Sequence, residues 1–307
     1  MTAFSREKWP RISIVVPSYN AGATIGRALR SLAAQKYPNL QVVCVDGKSN
    51  DNTLGQIGHF HSIVSDVISE PDKNIADALN KGFRKATGEI FGWLCADDEL
   101  APNALFTFID ALDRCPEAEL VTGGCRRFYA DGTEEITTPP EDFQKVISMK
   151  NYIEQPSTLW KKTLHRRAGD LDISFNLAFD HELWCRFDAC GANFLGIPDV
   201  LSHYYFSDSN LTSVGGSRLV REMYRITKQY GPYRGLTADI YRMLYHVFDL
   251  NGYFDHDSPY KIPSWKMSLF HIVLFGIRAC LDSTIIENYN WNFASKQERG
   301  ICWYKSY

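Results

Sequence analysis

Along the first hundred positions the apolar residues switch repeatedly between two spacings. ISIVV (12–16) is a short β-branched run, and after the polar loop PSYNAG the positions Ile25, Ala28, Leu29 and Leu32 return with helical spacing. The same order of strand then helix recurs three times. QVVCV (41–45) precedes a segment around 52–60, and DVIS (66–69) precedes a helix carrying Ile75, Ala78, Leu79 and Phe83. EIFGWLC (89–95) precedes a helix beginning near Pro102. This alternation predicts an α/β fold with a Rossmann-like, mostly parallel sheet flanked by helices. Ligands of such sheets bind outside the carboxyl ends of the strands.

From about residue 119 the pattern loosens. LVTGG and RRFYADGTEEI read as strands with an ADGT turn, and Pro139-Pro140 marks a break before a further helix. QPSTLW (155–160) reads as another strand, and FDHELWCRFDAC (179–190) as an amphipathic helix with Leu183, Trp184 and Phe187 inward. From about 231 the chain is rich in Tyr, His and Trp without strand alternation, which predicts a helical C-terminal extension.

Polar residues gather at the predicted strand ends. Pro17, Tyr19 and Asn20 follow the first strand, Asp46-Gly47 the second, Glu70-Pro71-Asp72-Lys73 the third, and Asp97-Asp98-Glu99 the fourth. All four clusters are therefore expected to face one crevice. Single acids at such places are usually caps or solvated loop residues, which suits Asp51 and Asp110.

Bulk composition adds boundaries. The 307 residues are 45% hydrophobic and 22% charged with a net charge of -3, the balance of a folded globular chain with no electrostatic call for nucleic acid. Eight cysteines include no C-x-x-C pair, and several sit in apolar runs, as reduced thiols in a cytoplasmic protein do. MTAFSREKWPRISIV lacks the apolar core of a signal peptide. MSLFHIVLFGI (267–277) is far shorter than the ~20 residues of a spanning helix, and suits a helix lying on a membrane face.

Three consecutive acids after an apolar strand need a cation among them. Carboxylate oxygens suit Mn²⁺ or Mg²⁺, which take further ligands from a substrate phosphate, so the pair reads as a clamp for a metal-bound diphosphate. Glu99 reads better as a cap of the helix starting at Ala101-Pro102.

The ordered segments VVPSYNAGATIGRALRSLAAQ, VVCVDGKSNDNT, ISEPDKNIADALNKGFRKATGEIFGWLCADDE and FDHELWCRF resemble family 2 glycosyltransferases of the GT-A fold over roughly residues 10 to 210. The resemblance implies a GT-A domain over 1–230, with a nucleotide-sugar half at about 10–123 and an acceptor half at about 124–230, followed by the extension at 231–307. It implies that Pro17 and Tyr19 border the base and ribose, and that Asp46 accepts a hydrogen bond from the base. Lys73 and Asn80 then lie near the nucleotide or its phosphates, Asp97 turns to the ribose and Asp98 to the metal. Asp180, in a D-x-x-L-W-x-R context, becomes the base of an inverting transfer. The donor is a nucleotide-sugar, a UDP-sugar by expectation, and the acceptor a glycan or lipid-linked molecule.

That base also follows from chemistry. In-line displacement at an anomeric carbon needs one carboxylate in reach of the acceptor hydroxyl, whereas retention by double displacement calls for a second beside the sugar. Trp184, one turn from Asp180, is placed to pack beneath it. Departures from the subgroup are Asn74 and Ala76, where Gly and an aromatic are usual, and Phe179, where Glu is common. A later-loop metal-binding His is frequent in the family, yet SHYYFSDSN supplies only His203, which falls early. Gln155 and Ser157 either face the acceptor or end a strand. Two alternatives stand beside transfer: a catalytically inactive relative that binds nucleotide or glycan, and a sugar nucleotidyltransferase, whose Gly-rich phosphate loop is missing after ISIVV.

Overall fold

A computed structural model describes residues 9–206, 210 and 216–247, together with scattered positions between 263 and 276. The N-terminal octet, and most of the extension expected at 231–307, lie outside the described residues.

Among the described residues, nine strands form one sheet in the order β3-β2-β1-β4-β8-β6-β9-β5, with β7 paired to β6. They are β1 (Ile12–Ser18), β2 (Leu40–Asp46), β3 (Val64–Ser69), β4 (Ile90–Trp93), β5 (Glu99–Leu100), β6 (Leu120–Phe128), β7 (Glu134–Thr137), β8 (Thr158–Lys161) and β9 (Phe194–Tyr205). The first four run parallel, in the predicted α/β manner. β8 inserts antiparallel between β4 and β6, and β9 returns parallel to β6.

Why β1 reads as an unbroken apolar run is visible in its burial. All seven residues are buried, because helices cover both faces. Val15 packs into one core, with Val43 and Val45, while Ile14 and Val16 pack into the other with Val42 and Cys44, as the two-residue period of a strand requires. Edge strand β3 instead alternates half-buried and exposed positions.

The helices are α1 (Ile25–Ala34), α2 (Thr53–Gly58), α3 (Ile75–Lys85), α4 (Ala104–Arg114), α5 (Lys162–Ala168), α6 (Phe179–Ala189), α7 (Gly216–Tyr230) and α8 (Leu236–Val247). α1 and α4 contribute to one core, and α3, α5 and α6 to the other. In α3, Asn74 stands at the N-cap, its Oδ1 accepting from the Asp77 amide at 3.1 Å. Its Nδ2 also donates to the Ile173 carbonyl at 2.9 Å, so the departure from Gly binds α3 to the loop ahead of α6. Gly82 serves packing: a Cβ there would stand 2.3 Å from Val15 Cγ1, so only glycine lets α3 lie this close to β1.

Several sequence expectations shift. The helix expected after Pro139-Pro140 is a short 3-10 turn at Phe143–Val146, and the QPSTLW strand begins only at Thr158, after another 3-10 turn. β9, twelve residues long, had no expectation at all; its pattern of exposed and buried positions is irregular because its pairing to β6 shifts register twice.

Candidate active site

At the carboxyl ends of β1 and β4 the sheet opens into a cleft of about 570 Å³. Pro17, Tyr19, Asp97, Asp98 and Asp180 all line it, together with Cys95, Gln155, Phe179, Arg127 and Glu154. Of the four strand-end clusters, the first and fourth thus face the crevice. The second and third lie alongside, joined to each other: the Glu70 amide donates to the Asp46 carbonyl at 3.0 Å, and Lys81 bridges Glu70 and Asp72 at 3.0 and 2.6 Å.

The loop after β1 is shaped by the loop after β2. Asn20 sits in left-handed backbone (φ 48°), its amide donating to Ser49 Oγ at 2.8 Å. Asp51 accepts from the Thr53 hydroxyl and from the Gly22 and Thr53 amides, the amides at 2.9 Å each; these bonds, the hydroxyl's first, hold its carboxyl below the usual range and make it a brace between the loops. Tyr19 lines the cleft and is left 67% exposed. Asp46 is fully buried, and its carboxylate accepts from the Ser49 amide at 3.1 Å and the Ser69 hydroxyl at 2.7 Å. Lys73 is exposed at the start of α3, outside the cleft lining.

Asn80 differs from its expected place. It is buried, and both ends of its amide are consumed by the Leu171 backbone, donating at 2.9 Å and accepting at 2.8 Å. These two bonds tie α3 to the loop at 171.

The three acids part company. Asp97 accepts at Oδ2 from Asn210 Nδ2 at 3.0 Å, while its backbone carbonyl accepts from Arg27 Nη2 at 2.6 Å. Glu99, expected to cap a helix, does not: α4 begins at Ala104 with Asn103 before it. The Glu99 carboxylate instead pairs with Arg27 Nε at 3.1 Å and accepts from the Tyr205 hydroxyl at 2.8 Å, with the Arg27 guanidinium 3.7 Å above the Tyr205 ring. Arg27 is the positive charge that lets three acids stand in sequence. Asp98 is 2% exposed, and its Oδ1 has no hydrogen-bond partner. Burial first, then the charge of Asp97, pushes its carboxyl well above the usual range.

Such an oxygen is costly unless a ligand meets it. Cys95, Asp97 and Asp98 each offer a donor atom, and these lie within 4.8 Å of one another. Carboxylate oxygens suit a hard divalent cation, which would also relieve the repulsion between Asp97 and Asp98, so this chain's residues fit a metal here. His203 is not among them: it lies in β9, its ring edge-on to Phe128 at 5.7 Å, and the residue of that segment that reaches Asp97 is Asn210.

Asp180 lines the same cleft from the first turn of α6. Burial pushes its carboxyl up to about 6, and the His181 amide, donating to Oδ1 at 2.7 Å, opposes the rise. Trp184 is fully buried, stacked on Trp93 at 5.5 Å and 8°, so it fixes α6 to the end of β4 rather than the carboxylate itself. Sequence reasoning missed Glu222 of α7, whose carboxylate accepts from the amides of Asn176, Leu177 and Ala178 at 2.9, 2.9 and 2.8 Å. These are the free donors ahead of α6, so a residue more than forty positions away caps the helix that carries Asp180. It also missed the second cleft carboxylate, Glu154, held by Arg127 and by the Thr137 hydroxyl at 2.7 Å. Gln155 faces the cleft but donates to the Trp93 carbonyl at 2.8 Å, and Ser157 is buried on Gly124 and Ser202. Ile75, rather than Ala76, reaches the cleft wall.

The family model described as Glycosyl transferase family 2 matches residues 13–171, just over half of the chain. The chain belongs to glycosyl transferase family 2. Among curated family relatives, an uncharacterized glycosyltransferase of Mycobacterium tuberculosis is 25% identical over 181 residues, 58% of this chain and 68% of its own length. The amylovoran biosynthesis glycosyltransferase AmsB of Erwinia amylovora is 29% identical over 213 residues, 63% of this chain and 69% of its own. In fold, the chain is similar to S. aureus TarS 1-349 in complex with UDP-GlcNAc, with a TM-score of 0.60 and 15% identity, covering 91% of this chain and 89% of that one. It is also similar to the mannosyltransferase PcManGT of Pyrobaculum calidifontis in complex with GDP-Man and Mn²⁺, with a TM-score of 0.57 and 18% identity, covering 92% and 86%. The fold is thus that of the GT-A transferases, and the chain is a family 2 glycosyltransferase. Among the described residues, no helix is long and apolar enough to cross a membrane.

Proposed function

We propose that this family 2 enzyme transfers a sugar from a UDP-sugar to a glycan or lipid-linked acceptor with inversion at the anomeric carbon. One observation carries it: a single cleft is lined both by Asp98, whose Oδ1 has no partner, and by Asp180, whose carboxyl is raised to about 6. Tyr19 and Pro17 take the base and ribose, Asp97 turns to the ribose, and Asp98 holds Mn²⁺ or Mg²⁺. A bound divalent ion supplies charge neutralisation for the departing diphosphate. Asp46 and Lys73 flank the nucleotide from the neighbouring loops, in the donor half at 10–123; the acceptor is held by the half at 124–230.

Asp180 accepts the proton of the acceptor hydroxyl as that oxygen attacks the anomeric carbon from the face opposite the diphosphate. A value near 6 leaves Asp180 ionised at neutral pH yet more basic than an ordinary aspartate, which suits that task. Inversion is favoured over retention because Glu154, the other acid near the sugar's place, is already engaged by Arg127 and Thr137 and is a poor nucleophile. The name of AmsB supports a role in polysaccharide biosynthesis. Peripheral contact with the cytoplasmic membrane face draws support from Trp265, Leu269, Ile272 and Phe275, which are helical, exposed, and spaced to share one face.

The test is Asp180→Asn. Transfer from a UDP-sugar is expected to fall by about 10² to 10⁴, while Mn²⁺-dependent UDP binding, followed calorimetrically, stays near wild type. Full activity in the variant sinks the assigned base, and absence of metal-dependent UDP release from any donor by the wild type sinks the catalytic proposal as a whole.

A further inference from the structure

Resting on the metal site proposed above, we infer that Cys95 joins Asp98 as a protein ligand, a sulfur donor that turns an oxygen site toward borderline and soft divalent ions. Two independent observations meet there. Cys95 Sγ shares a 4.8 Å cluster with the Asp97 and Asp98 carboxylates and lines the same cleft. Asp98, 2% exposed, presents an Oδ1 with no partner to that cluster.

The remaining contacts of the thiol are weak enough to yield. It donates to Gln155 Oε1 across 3.5 Å, a weak bond because a thiol is a poor donor, and Gln155 itself donates to the Trp93 carbonyl at 2.8 Å. Cys95 can therefore turn from Gln155 to an ion without dismantling the wall behind it. Metal–sulfur bonds of roughly 2.3 Å and metal–oxygen bonds of roughly 2.1 Å place neighbouring donors of one ion about 3 to 3.6 Å apart. The three donor atoms, within 4.8 Å of one another, would draw in by up to roughly 1 to 2 Å around an ion, a movement that side-chain torsions supply. As the sulfur–metal bond forms, the thiol proton leaves to solvent and the sulfur binds as thiolate.

The consequence is selectivity. Carboxylate oxygens alone rank Mg²⁺ and Mn²⁺ as suitable, but a thiolate discriminates strongly against Mg²⁺ and in favour of Co²⁺, Zn²⁺ and Cd²⁺. The enzyme should then work with Mn²⁺ or Co²⁺ in preference to Mg²⁺, and be blocked by Cd²⁺ that binds too tightly at the sulfur.

The test titrates the full chain with Co²⁺ and follows the near-ultraviolet band of thiolate-to-cobalt charge transfer, beside calorimetric titrations with Mn²⁺, Mg²⁺ and Cd²⁺. Wild type is expected to give the band, and Cys95→Ser to lose it. The ratio of Cd²⁺ to Mg²⁺ affinity should fall at least about tenfold in Cys95→Ser, with Mn²⁺ affinity changed far less. Should the serine variant not fold, alkylation of wild-type Cys95, read by peptide mass spectrometry, is expected to slow in Cd²⁺ and not in Mg²⁺. Mn²⁺ binding without any band, a band that survives Cys95→Ser, or unslowed alkylation in Cd²⁺ overturns the sulfur ligand and leaves the Asp98 site standing. Failure of Mn²⁺ and Co²⁺ alike to bind the wild type overturns both.

Discussion

The two walls of the cleft are built by different means. Asp97 and Asp98 leave the end of a parallel strand, and their support comes from α1, where Arg27 grips both the Asp97 carbonyl and Glu99. Asp180 rides on a helix whose preceding amides are held by Glu222, far along the chain in α7. One wall is a property of the sheet, and the other of helices brought together from the second half of the sequence. The contrast teaches that the metal wall and the base wall can be loosened separately, and each prediction below exploits that separation.

The largest effect belongs to Asp98→Ala. Removing the buried oxygen should weaken UDP binding in Mn²⁺ by about 10- to 100-fold or more, and leave UDP binding in chelator unchanged, as read by calorimetry. If the two conditions shift together, the metal wall is not a metal wall.

Glu222→Ala strikes the other wall. Three amides lose a charged acceptor in a buried setting, and at roughly 1 kcal/mol or more for each such bond about 3 kcal/mol of stability should be lost. Denaturant unfolding measures it. At temperatures where the variant is folded, kcat should fall at least about tenfold while Mn²⁺ affinity holds, because α7 does not touch the strand-end pair. Glu222→Gln, which keeps one acceptor oxygen but turns an NH2 group on the remaining amide, should recover only part of both losses.

These two variants also mark what was legible in the sequence. The strand-end clusters could be placed because period-two runs and helical spacing give the order of elements, and an α/β sheet then dictates where its loops gather. Pro17, Tyr19, Asp97 and Asp98 reach the cleft for that reason, whereas Asp180, assigned through the family resemblance, reaches it from helix α6. What joined them was not legible. Arg27 and Asp97 are seventy positions apart, Asn80 meets Leu171 across ninety-one, and Glu222 meets Asn176 across forty-six. A carboxamide in a helix carries no local sign that both its ends are spoken for. Irregular β9 likewise hid its pairing, since register shifts erase the alternation by which a strand is recognised.

A pH profile sharpens the base wall. The free enzyme's kcat/KM should fall about tenfold per unit below about pH 6, where Asp180 takes up its proton. Stability runs the opposite way. Burial raises the folded carboxyl to about 6 from 3.8, so Asp180 favours the fold fully below 3.8 and loses that contribution as pH rises through about 6. Asp180→Asn should therefore match wild type in melting temperature at pH 4 and exceed it at pH 7.5. A constant difference across that range excludes the raised carboxyl.

Arg27 offers the smallest and most discriminating effect, because its two contributions oppose each other. Its charge repels an incoming cation, whereas its fork holds the Asp97 carbonyl and the Glu99 carboxylate in one geometry, with Tyr205 beneath. Loss of charge alone would tighten Mn²⁺ binding, and loss of the fork alone would weaken it. Lysine keeps the charge and lacks the fork; methionine lacks both. We expect both substitutions to weaken Mn²⁺ binding by less than about tenfold, lysine somewhat more than methionine, since lysine retains the repulsion. Titration of the two variants with Mn²⁺ decides it: tighter binding in Arg27→Met, or wild-type binding in Arg27→Lys, would show that the guanidinium acts as a charge and not as a brace, and that the metal wall stands on the sheet alone.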